Sequence, residues 1–409
     1  MKTHTSLSRR SLMLHSVASG TIMAVGSGTS MIPGYLYANQ QRPTENVLVV
    51  VQLSGGNDGL NTVIPYQQDE YHRSRPTLSF SYEQVLDLDG DLGFHPAMNG
   101  LHRLFEQQKL AVIQGVGYPN PNRSHFESMD IWHTCRRKNV IREEGWIGAS
   151  VNTSLSREEN DTPILHLGSE KQPFALTAKD PRSISIRSLD QFKLRANQKE
   201  ITSVVQTSES EDSENALLGF LQSSTNAALK TSEQLIRSAT QNTKENDGVD
   251  YPQHRLAQKL QTVAKLIDSP IATRVYYVTL DGFDTHAQQT DAHQALLRQL
   301  SSGLAAFQQD LSQRNQEGRV ATMVFSEFGR RLSENGSKGT DHGAAGPMFL
   351  LGNKVQGGVI GDHPSLTDLQ QGDLKHQYDF RQVYTSTLNW MGWDTSILGS
   401  DYKPLPLFS

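Results

Sequence analysis

The side chains of this sequence that are best suited to chemistry stand just after its apolar, strand-like runs. They are carboxylates, imidazoles and one hydroxyl, at points where a buried strand would meet solvent. Because ligands bind outside the carboxyl ends of the strands in open α/β sheets, we expect these residues to gather at one edge of a sheet. The residues are Asp58, Ser124, His125, Asp281, Asp284, His286, Glu327, Asp341 and His342.

Two stretches of the chain pair an aspartate with a histidine. Asp284 and His286 stand two residues apart in "GFDTH", and Asp341 and His342 are adjacent in "GTDHG". Such pairs offer the mixed oxygen and nitrogen ligation that borderline-hard divalent cations prefer. Cys135 is the only cysteine, so the sequence offers no cysteine cluster for a soft-metal or iron–sulfur site. Two cations about 3.5–4 Å apart could clamp the attacking and leaving oxygens of an ester, and coordination would favour the alkoxide of a nearby serine.

Each of these residues also has a purely structural interpretation. Asp58, in "GGNDG", could be a turn former, and Ser124 could be the N-cap of a helix. Asp284 could cap the helix that follows it. Glu327 could be a surface ion-pair partner of Arg330, three residues further on.

For Asp284 and His286 the two interpretations predict different geometry. If the loop stays extended, residues two apart point the same way, so both side chains could meet one cation with Thr285 turned away. If Asp284 caps a helix, its carboxylate points at backbone N–H groups and only His286 is free.

Apolar, β-branched runs alternate with helical periodicity along both flanks of the chain. Leucines and a phenylalanine recur at helical spacing over 98–105 and 296–311, and a further apolar run, "MFLLG", follows Pro347. Runs of this kind indicate strands buried on both faces, joined by crossover helices. The predicted strands are Val47–Leu53, Leu110–Val116, Val275–Leu280 and Val320–Phe325. The fold class predicted is therefore α/β, a doubly wound and mostly parallel sheet flanked by helices.

The middle of the chain has a different composition. Residues 198–246 are rich in Ser, Thr, Gln, Asn and Glu but still contain the apolar runs "ALLGFL" and "LIRSA", so a partly helical segment is expected. We predict a single α/β hydrolase-like domain over 45–409, with an insertion at about 155–254. "PILHLGSEKQPFAL", near the start of this insertion, is a candidate for an additional strand.

The first 38 residues are predicted to be an export signal and not part of the fold. Arg9 and Arg10 form a pair after Ser8, and a modestly apolar run rich in Ser and Gly follows as far as Ala38. This resembles a bacterial twin-arginine signal, and the run is too polar for a permanent membrane span of ~20 residues. We therefore expect the twin-arginine export machinery as a partner and a periplasmic or secreted protein.

The charge of the chain argues against one class of partner. The net charge of −5 and pI of about 6.3 disfavour a dedicated nucleic-acid surface, which normally has a basic patch.

Several motifs, in order along the mature chain, resemble the secreted bacterial family called domain of unknown function 1501. They are "GGNDGLNTVIPY", "YHRSRPTL", "NRSHFESMDIW", "GFDTH", "FSEFGRR", "GTDHG" and "DFRQVY". That family is similar to the alkaline phosphatase and sulfatase superfamily, which implies a doubly wound α/β sandwich with two metal sites and a Ser, Thr or formylglycine nucleophile between them. The resemblance implies metal ligands at Asp58, Asp284, His286, Asp341 and His342, and a nucleophile at Ser124.

The sequence departs from the superfamily pattern in three places. The usual Asp-x-x-x-His spacing is Asp-x-His at Asp284, unless Asp281 or a different histidine serves, and the final histidine ligand has only His363 and His376 as candidates. The sulfatase motif Cys/Ser-x-Pro-x-Arg is absent around Ser124, which disfavours its conversion to formylglycine.

The leading prediction is an exported, metal-dependent hydrolase of phosphate or sulfate esters that acts on a small-molecule or glycan ester. Ser124 would attack, and His125 would be a general acid or an oxyanion partner. One or two divalent cations are expected, with zinc, manganese, magnesium and calcium all open. The predicted metal ligands are Asp58, Asp284, His286, Glu327, Asp341 and His342, with Glu327 alternatively a base behind the ligands. The rival prediction is a non-catalytic binding or assembly protein with the same fold and an eroded metal site.

Overall fold

This computed structural model describes residues 45–156, 162–180, 183–187, 248–269 and 271–409, all of which belong to one compact unit, Gln41–Ser409. The predicted export signal at 1–38 lies outside the described residues. Within these ranges, no helix combines the length and the apolarity that crossing a bilayer requires.

The described helices and strands are numbered in chain order. The strands are β1 Val47–Ser54, β2 Val63–Ile64, β3 Leu86–Asp87, β4 Gly93–Phe94, β5 Leu110–Gly117, β6 Ile164–Leu167, β7 Ser183–Ile186, β8 Val275–Asp281, β9 Val320–Ser326, β10 Arg330–Glu334, β11 Thr340–His342, β12 Gly346–Leu351, β13 Gly358–Ile360 and β14 Tyr378–Asp379. The helices are α1 Asp69–Ser74, α2 Asn99–Glu106, α3 His125–Thr134, α4 Trp146–Ser154, α5 Arg255–Ile267, α6 Gln289–Gln313 and α7 Phe380–Met391. Short 3-10 turns cover Gly59–Asn61, Tyr82–Gln84, Phe174–Leu176, Glu317–Arg319 and Ser396–Leu398.

A nine-stranded, mostly parallel sheet forms the centre of the structure. Its order is β13-β5-β12-β9-β1-β8-β6-β7, with β14 pairing beside β5. β1 pairs in parallel with β8 and β9 on its two sides, whereas β12 runs antiparallel between β9 and β5. Two small sheets, β10-β11 and β2-β4-β3, lie apart from it. The predicted α/β class with a mostly parallel sheet is confirmed.

Helices cover both faces of the sheet, and the alternation within β1 shows why. Val49 and Val51 pack into one core with α2, α5 and α6, while Leu48 and Val50 pack into a second core with α3, α4 and α7. A strand buried on both faces reads as a continuous apolar run. Such apolar runs were the basis for predicting four strands. All four are confirmed as β1, β5, β8 and β9, with small extensions.

The predicted insertion at 155–254 falls mostly outside the described residues. Its described parts include β6 and β7, which extend the central sheet in parallel beyond β8, so the predicted additional strand lies in the main sheet. The insertion itself stays a prediction.

Candidate metal centre

The parallel strands end together and bring their following loops to one edge. Ser54 at the end of β1 pairs with Asp281 at the end of β8, and Leu53 pairs with Ser326 of β9. Gly55 then has a φ of +118°, and a Cβ on it would lie 2.4 Å from the backbone nitrogen of Asp284. A residue without a side chain is required here, because the end of β1 touches the loop that carries Asp284.

Three imidazoles surround one carboxylate oxygen at this edge. The Nε2 atoms of His125, His286 and His342 lie 3.5, 3.1 and 3.2 Å from Oδ1 of Asp284. The Nε2 atoms of His286 and His342 are 2.9 Å apart. One ligand atom from each of His125, Asp284 and His342 lies within 4.8 Å of the other two. The predicted ligands Asp284, His286 and His342 lie together here, and they are joined by His125, which the sequence analysis assigned as a general acid or an oxyanion partner.

The opposite nitrogen of each ring is held by an oxygen outside the cluster. Nδ1 of His125 lies 2.8 Å from Oε1 of Glu327, and Nδ1 of His286 lies 3.3 Å from Oδ1 of Asp341. An acceptor at Nδ1 places the proton there and leaves the lone pair of Nε2 free to bind a metal. Glu327 and Asp341, both predicted as ligands, therefore contact histidines of the cluster.

His342 is oriented in the same way by the backbone. Its Nδ1 lies 2.8 Å from the carbonyl oxygen of Arg123, which directs its Nε2 toward Asp284. All three histidines thus present the same nitrogen to the same point.

The donor set fits a divalent cation. Three imidazole nitrogens and one carboxylate oxygen are typical ligands of zinc and of other first-row transition metals. Nε2 of His125 is buried and has no hydrogen-bond partner. A buried polar atom without a partner is costly, and a cation at the cluster would satisfy it.

The charge on Asp284 is fixed by its neighbours. Burial raises the pKa of Asp284, but the hydrogen bond from Arg330 and its positive charge outweigh that effect and bring the pKa to about 2. Burial lowers the pKa of His342. The hydrogen bond between His125 and Glu327 raises the pKa of His125. At neutral pH the cluster therefore contains an ionised carboxylate, as a cation requires.

Arg330 is the main support of the cluster, although the sequence suggested only a surface ion pair with Glu327 for it. Its side chain is fully buried and its Nη2 lies 2.8 Å from Oδ1 of Asp284. Its hydrogen-bond acceptors are the carbonyls of Gly55, Gly56, Phe283 and Thr340 and the carboxylate of Asp284. Arginine is rarely buried completely, so nothing local in "FGRR" indicated this position.

The surface interpretation of Glu327 is wrong. Glu327 is only 1% exposed. It accepts hydrogen bonds from the backbone N–H of Gly55 and from the hydroxyl of Ser326 and contacts His125. Glu327 is therefore buried in the site, and Arg330 pairs with Asp284 instead of with Glu327.

The capping interpretation of Asp284 is also wrong. Helix α6 begins at Gln289 with Gln288 as its N-cap, so Asp284 stands before the helix. Thr285 is buried, and its hydroxyl lies 3.1 Å from Oε1 of Gln289. The side chains of Asp284 and His286 share one point while Thr285 turns away, as the extended-loop interpretation predicts.

Asp58 is placed differently from the other predicted ligands. It is fully buried, and its Oδ2 lies 2.6 Å from Nη1 of Arg75 and 2.5 Å from Nε2 of Gln289. Burial raises the pKa of Asp58, but the paired Arg75 guanidinium more than offsets this and holds the pKa below its usual value. Its Oδ1 has no hydrogen-bond partner. Asp58 is thus committed to a buried ion pair, and its role as a metal ligand stays a prediction.

Ser124 is the exposed N-cap residue of α3 and directly precedes His125. Its side chain makes no capping hydrogen bond, so the hydroxyl is not used to hold the helix. The neighbouring Ser128 is buried and donates to the carbonyl of Glu327 at 2.6 Å. Its bond ties α3 to the end of β9.

The two late histidines considered as final ligands do not line the cavity beside the cluster. His363 contacts the carbonyl of Pro364 through Nδ1, and His376 lines a small pocket with Tyr118 and Asp373. His125 instead supplies the third imidazole of the cluster.

A cavity of about 640 Å³ opens beside the cluster. His125, Asp284 and Glu327 border it at one end, and residues of β1 and α3 line its floor. Its volume is typical of small-molecule sites.

The profile of the family described as "Protein of unknown function (DUF1501)" matches residues 45–403. The chain belongs to this family. The resemblance seen in the motifs is thereby confirmed over residues 45–403. No curated protein matches the sequence.

Several solved structures are similar in fold. One is a protein in the alkaline phosphatase superfamily from Vibrio parahaemolyticus, with 10% identity, coverage of 90% of this chain and 72% of that chain, and a TM-score of 0.42. Another is the zinc-complexed C-terminal periplasmic domain of EcEptC from Escherichia coli, at 8% identity, 89% coverage of both chains and a TM-score of 0.39. A phosphonate monoester hydrolase from Silicibacter pomeroyi has 9% identity, coverage of 88% and 76%, and a TM-score of 0.35. At such identities and TM-scores, these similarities identify no reaction for this chain.

Proposed function

We propose that this protein is a metal-dependent hydrolase of phosphate or sulfate esters. The observation that carries the proposal is the convergence of three Nε2 atoms on Oδ1 of Asp284, with each Nδ1 held by an outer oxygen. The cavity next to the cluster supplies room for an ester.

Each residue near the cluster has a defined task in this proposal. His125, His286, His342 and Asp284 hold one cation, and Arg330 keeps the Asp284 carboxylate in place. The cation, when bound, supplies a Lewis acid that stabilises charge on the ester oxygens.

Ser124 is the proposed nucleophile. It is exposed, adjoins His125 and uses its hydroxyl in no capping bond. It also stands at the N-terminus of the ten-residue helix α3, where the helix dipole favours an anion.

The donor set narrows the choice of metal. Magnesium and calcium prefer oxygen ligands, whereas three imidazoles favour zinc or manganese among the four candidate ions. The pairing of Asp58 with Arg75 supports one cation at the cluster instead of two.

The rival proposal is a binding or assembly protein that keeps the fold without catalysis. The observation that favours it is the same ion pair, because Asp58, the first ligand implied by the family resemblance, is held by Arg75 and Gln289. Activity measurements separate the two proposals.

Zinc- or manganese-loaded protein should hydrolyse 4-nitrophenyl phosphate or 4-nitrophenyl sulfate, and Ser124→Ala should lower kcat by about 1,000-fold or more, as loss of a nucleophile does. Metal content should not change. Ser312→Ala, which removes an exposed hydroxyl at the far end of α6, is the matched control and should behave like the wild type. Metal-loaded protein that cleaves neither ester would favour the binding protein.

We also propose export to the periplasm or beyond by the twin-arginine machinery, on the basis of Arg9 and Arg10. Replacing both by lysine should leave the precursor in the cytoplasm, as followed by cell fractionation and immunoblotting. Unchanged appearance of the mature protein outside the cytoplasm would rule out this route.

A further inference from the structure

A single amide interrupts the apolar strand at the centre of the sheet. Gln52 follows Val51 in β1 and is only 7% exposed. Its neighbours in the register, Thr279 of β8 and Phe325 of β9, flank it on both sides. The small exposed part of Gln52 faces the cavity beside the metal cluster, which Gln52 lines. A polar side chain that is more than nine-tenths buried and still reaches a cavity is placed to recognise what enters it.

A tyrosine hydroxyl fixes the orientation of this amide. The hydroxyl of Tyr277 donates to Oε1 of Gln52, and Nε2 of His133 lies 3.1 Å from the same oxygen and 3.2 Å from the Tyr277 hydroxyl. Burial and the Glu327 carboxylate raise the pKa of Tyr277, so its hydroxyl keeps its proton. Because Oε1 accepts the bond from Tyr277, the amino group of Gln52 is left to donate into the cavity that Gln52 lines.

Gln52 and the cluster line the same cavity. Gly55, three residues further along the chain, donates its backbone N–H to Glu327, which in turn contacts His125. Gln52, His125, Asp284 and Glu327 all line the cavity, so a substrate held at the cluster can extend toward Gln52.

The side chains that line the cavity favour an uncharged ring as the organic part of the substrate. Phe126 is 87% exposed although it follows His125 directly, and Met129 and Phe174 add apolar surface. Aromatic side chains offer flat, rigid contact area for a ring. Asp130 and Asp281 also line the cavity, against one cation, Lys171, and so disfavour a second negative charge.

We propose that Gln52 is a specificity-determining residue, whose amino group donates a hydrogen bond to an uncharged oxygen on a ring in the organic part of the substrate. This inference rests on the proposed function, since it assumes that the ester group lies at the metal cluster. Tyr277 and His133 are positioning residues that act through Gln52.

Isothermal titration of zinc-loaded protein with three non-hydrolysable probes tests the proposal. The probes are inorganic phosphate, benzylphosphonate and 4-acetylbenzylphosphonate, whose ketone oxygen can only accept a hydrogen bond. The wild type should bind the acetyl compound about fivefold more tightly than benzylphosphonate, since a neutral hydrogen bond contributes about 1 kcal/mol. Gln52→Met should remove this preference and leave phosphate binding unchanged.

Two further variants complete the test. Gln114→Met changes another buried strand glutamine, in β5, and should keep the preference. Tyr277→Phe should weaken it, which covers the case in which Gln52→Met does not fold. The inference about Gln52 would be overturned, with the proposed function left standing, by either of two results. In one, the wild type binds phosphate but does not prefer the acetyl compound; in the other, the preference survives in Gln52→Met. If phosphate itself does not bind the zinc-loaded wild type, the proposed function fails as well.

Discussion

Asp284→Asn should leave the protein folded and lower its affinity for zinc or manganese by about 100-fold or more. Groups behind metal ligands typically contribute 10- to 100-fold, and Asp284 is the one carboxylate that all three Nε2 atoms approach. Asparagine keeps an oxygen that can accept from Arg330, so the loop should hold its position. Competition with a chromophoric chelator measures the affinity, and thermal unfolding of the metal-free variant checks the fold.

Asp281→Asn is the matched control for this experiment. Asp281 is an exposed carboxylate three residues earlier, and it binds the backbone N–H of Gly282. Its replacement should change metal affinity by less than about twofold, since an exposed charge at the strand end is largely screened. Equal metal affinity in Asp284→Asn and the wild type would show that the carboxylate is not a ligand.

Arg330→Met should lower the free energy of unfolding by about 3–5 kcal/mol, because each buried acceptor left without its donor costs about 1–3 kcal/mol. The substitution keeps apolar volume but leaves four backbone carbonyls and Asp284 without their donor. Urea denaturation of the metal-free protein, followed by circular dichroism, gives the difference without a contribution from the cation.

Arg331→Met supplies the comparison for Arg330. The side chain of Arg331 is 38% exposed, and its Nε lies 3.6 Å from Asp373, so its loss should cost about 1 kcal/mol or less. Equal free energies of unfolding for Arg330→Met and Arg331→Met would show that Arg330 does not stabilise the cluster as its hydrogen bonds indicate.

The strands and the edge that carries the site were predictable because their signal is local. β1, β8 and β9 are continuous apolar runs, and the polar residues that follow each run must emerge where parallel strands end. That logic placed Asp284, His286 and His342 together before any contact was known.

The partners of these residues could not be predicted because they are distant in the chain. Glu327 holds His125 across 202 residues, and Arg330 holds Asp284 across 46 residues. A pattern of residue types shows which side chains reach the edge, but only packing decides which neighbour satisfies each one.

Arg330 shows the same limit in another form. Its burial depends on four carbonyls, three from the loops after β1 and β8 and one from strand β11, none of which is encoded near "FGRR". Sequence patterns favour an exposed arginine there, and the tertiary structure overrides them.

The metal content of the protein, purified after native export without added metal, tests the central claim most directly. Elemental analysis should find close to one zinc or manganese ion per chain in the wild type and a clear loss in His342→Ala. Chelation should lower the Tm of the wild type, because a cation that binds only the folded state stabilises it. A metal-free wild type whose Tm does not respond to chelator would contradict the metal centre and the hydrolase built on it.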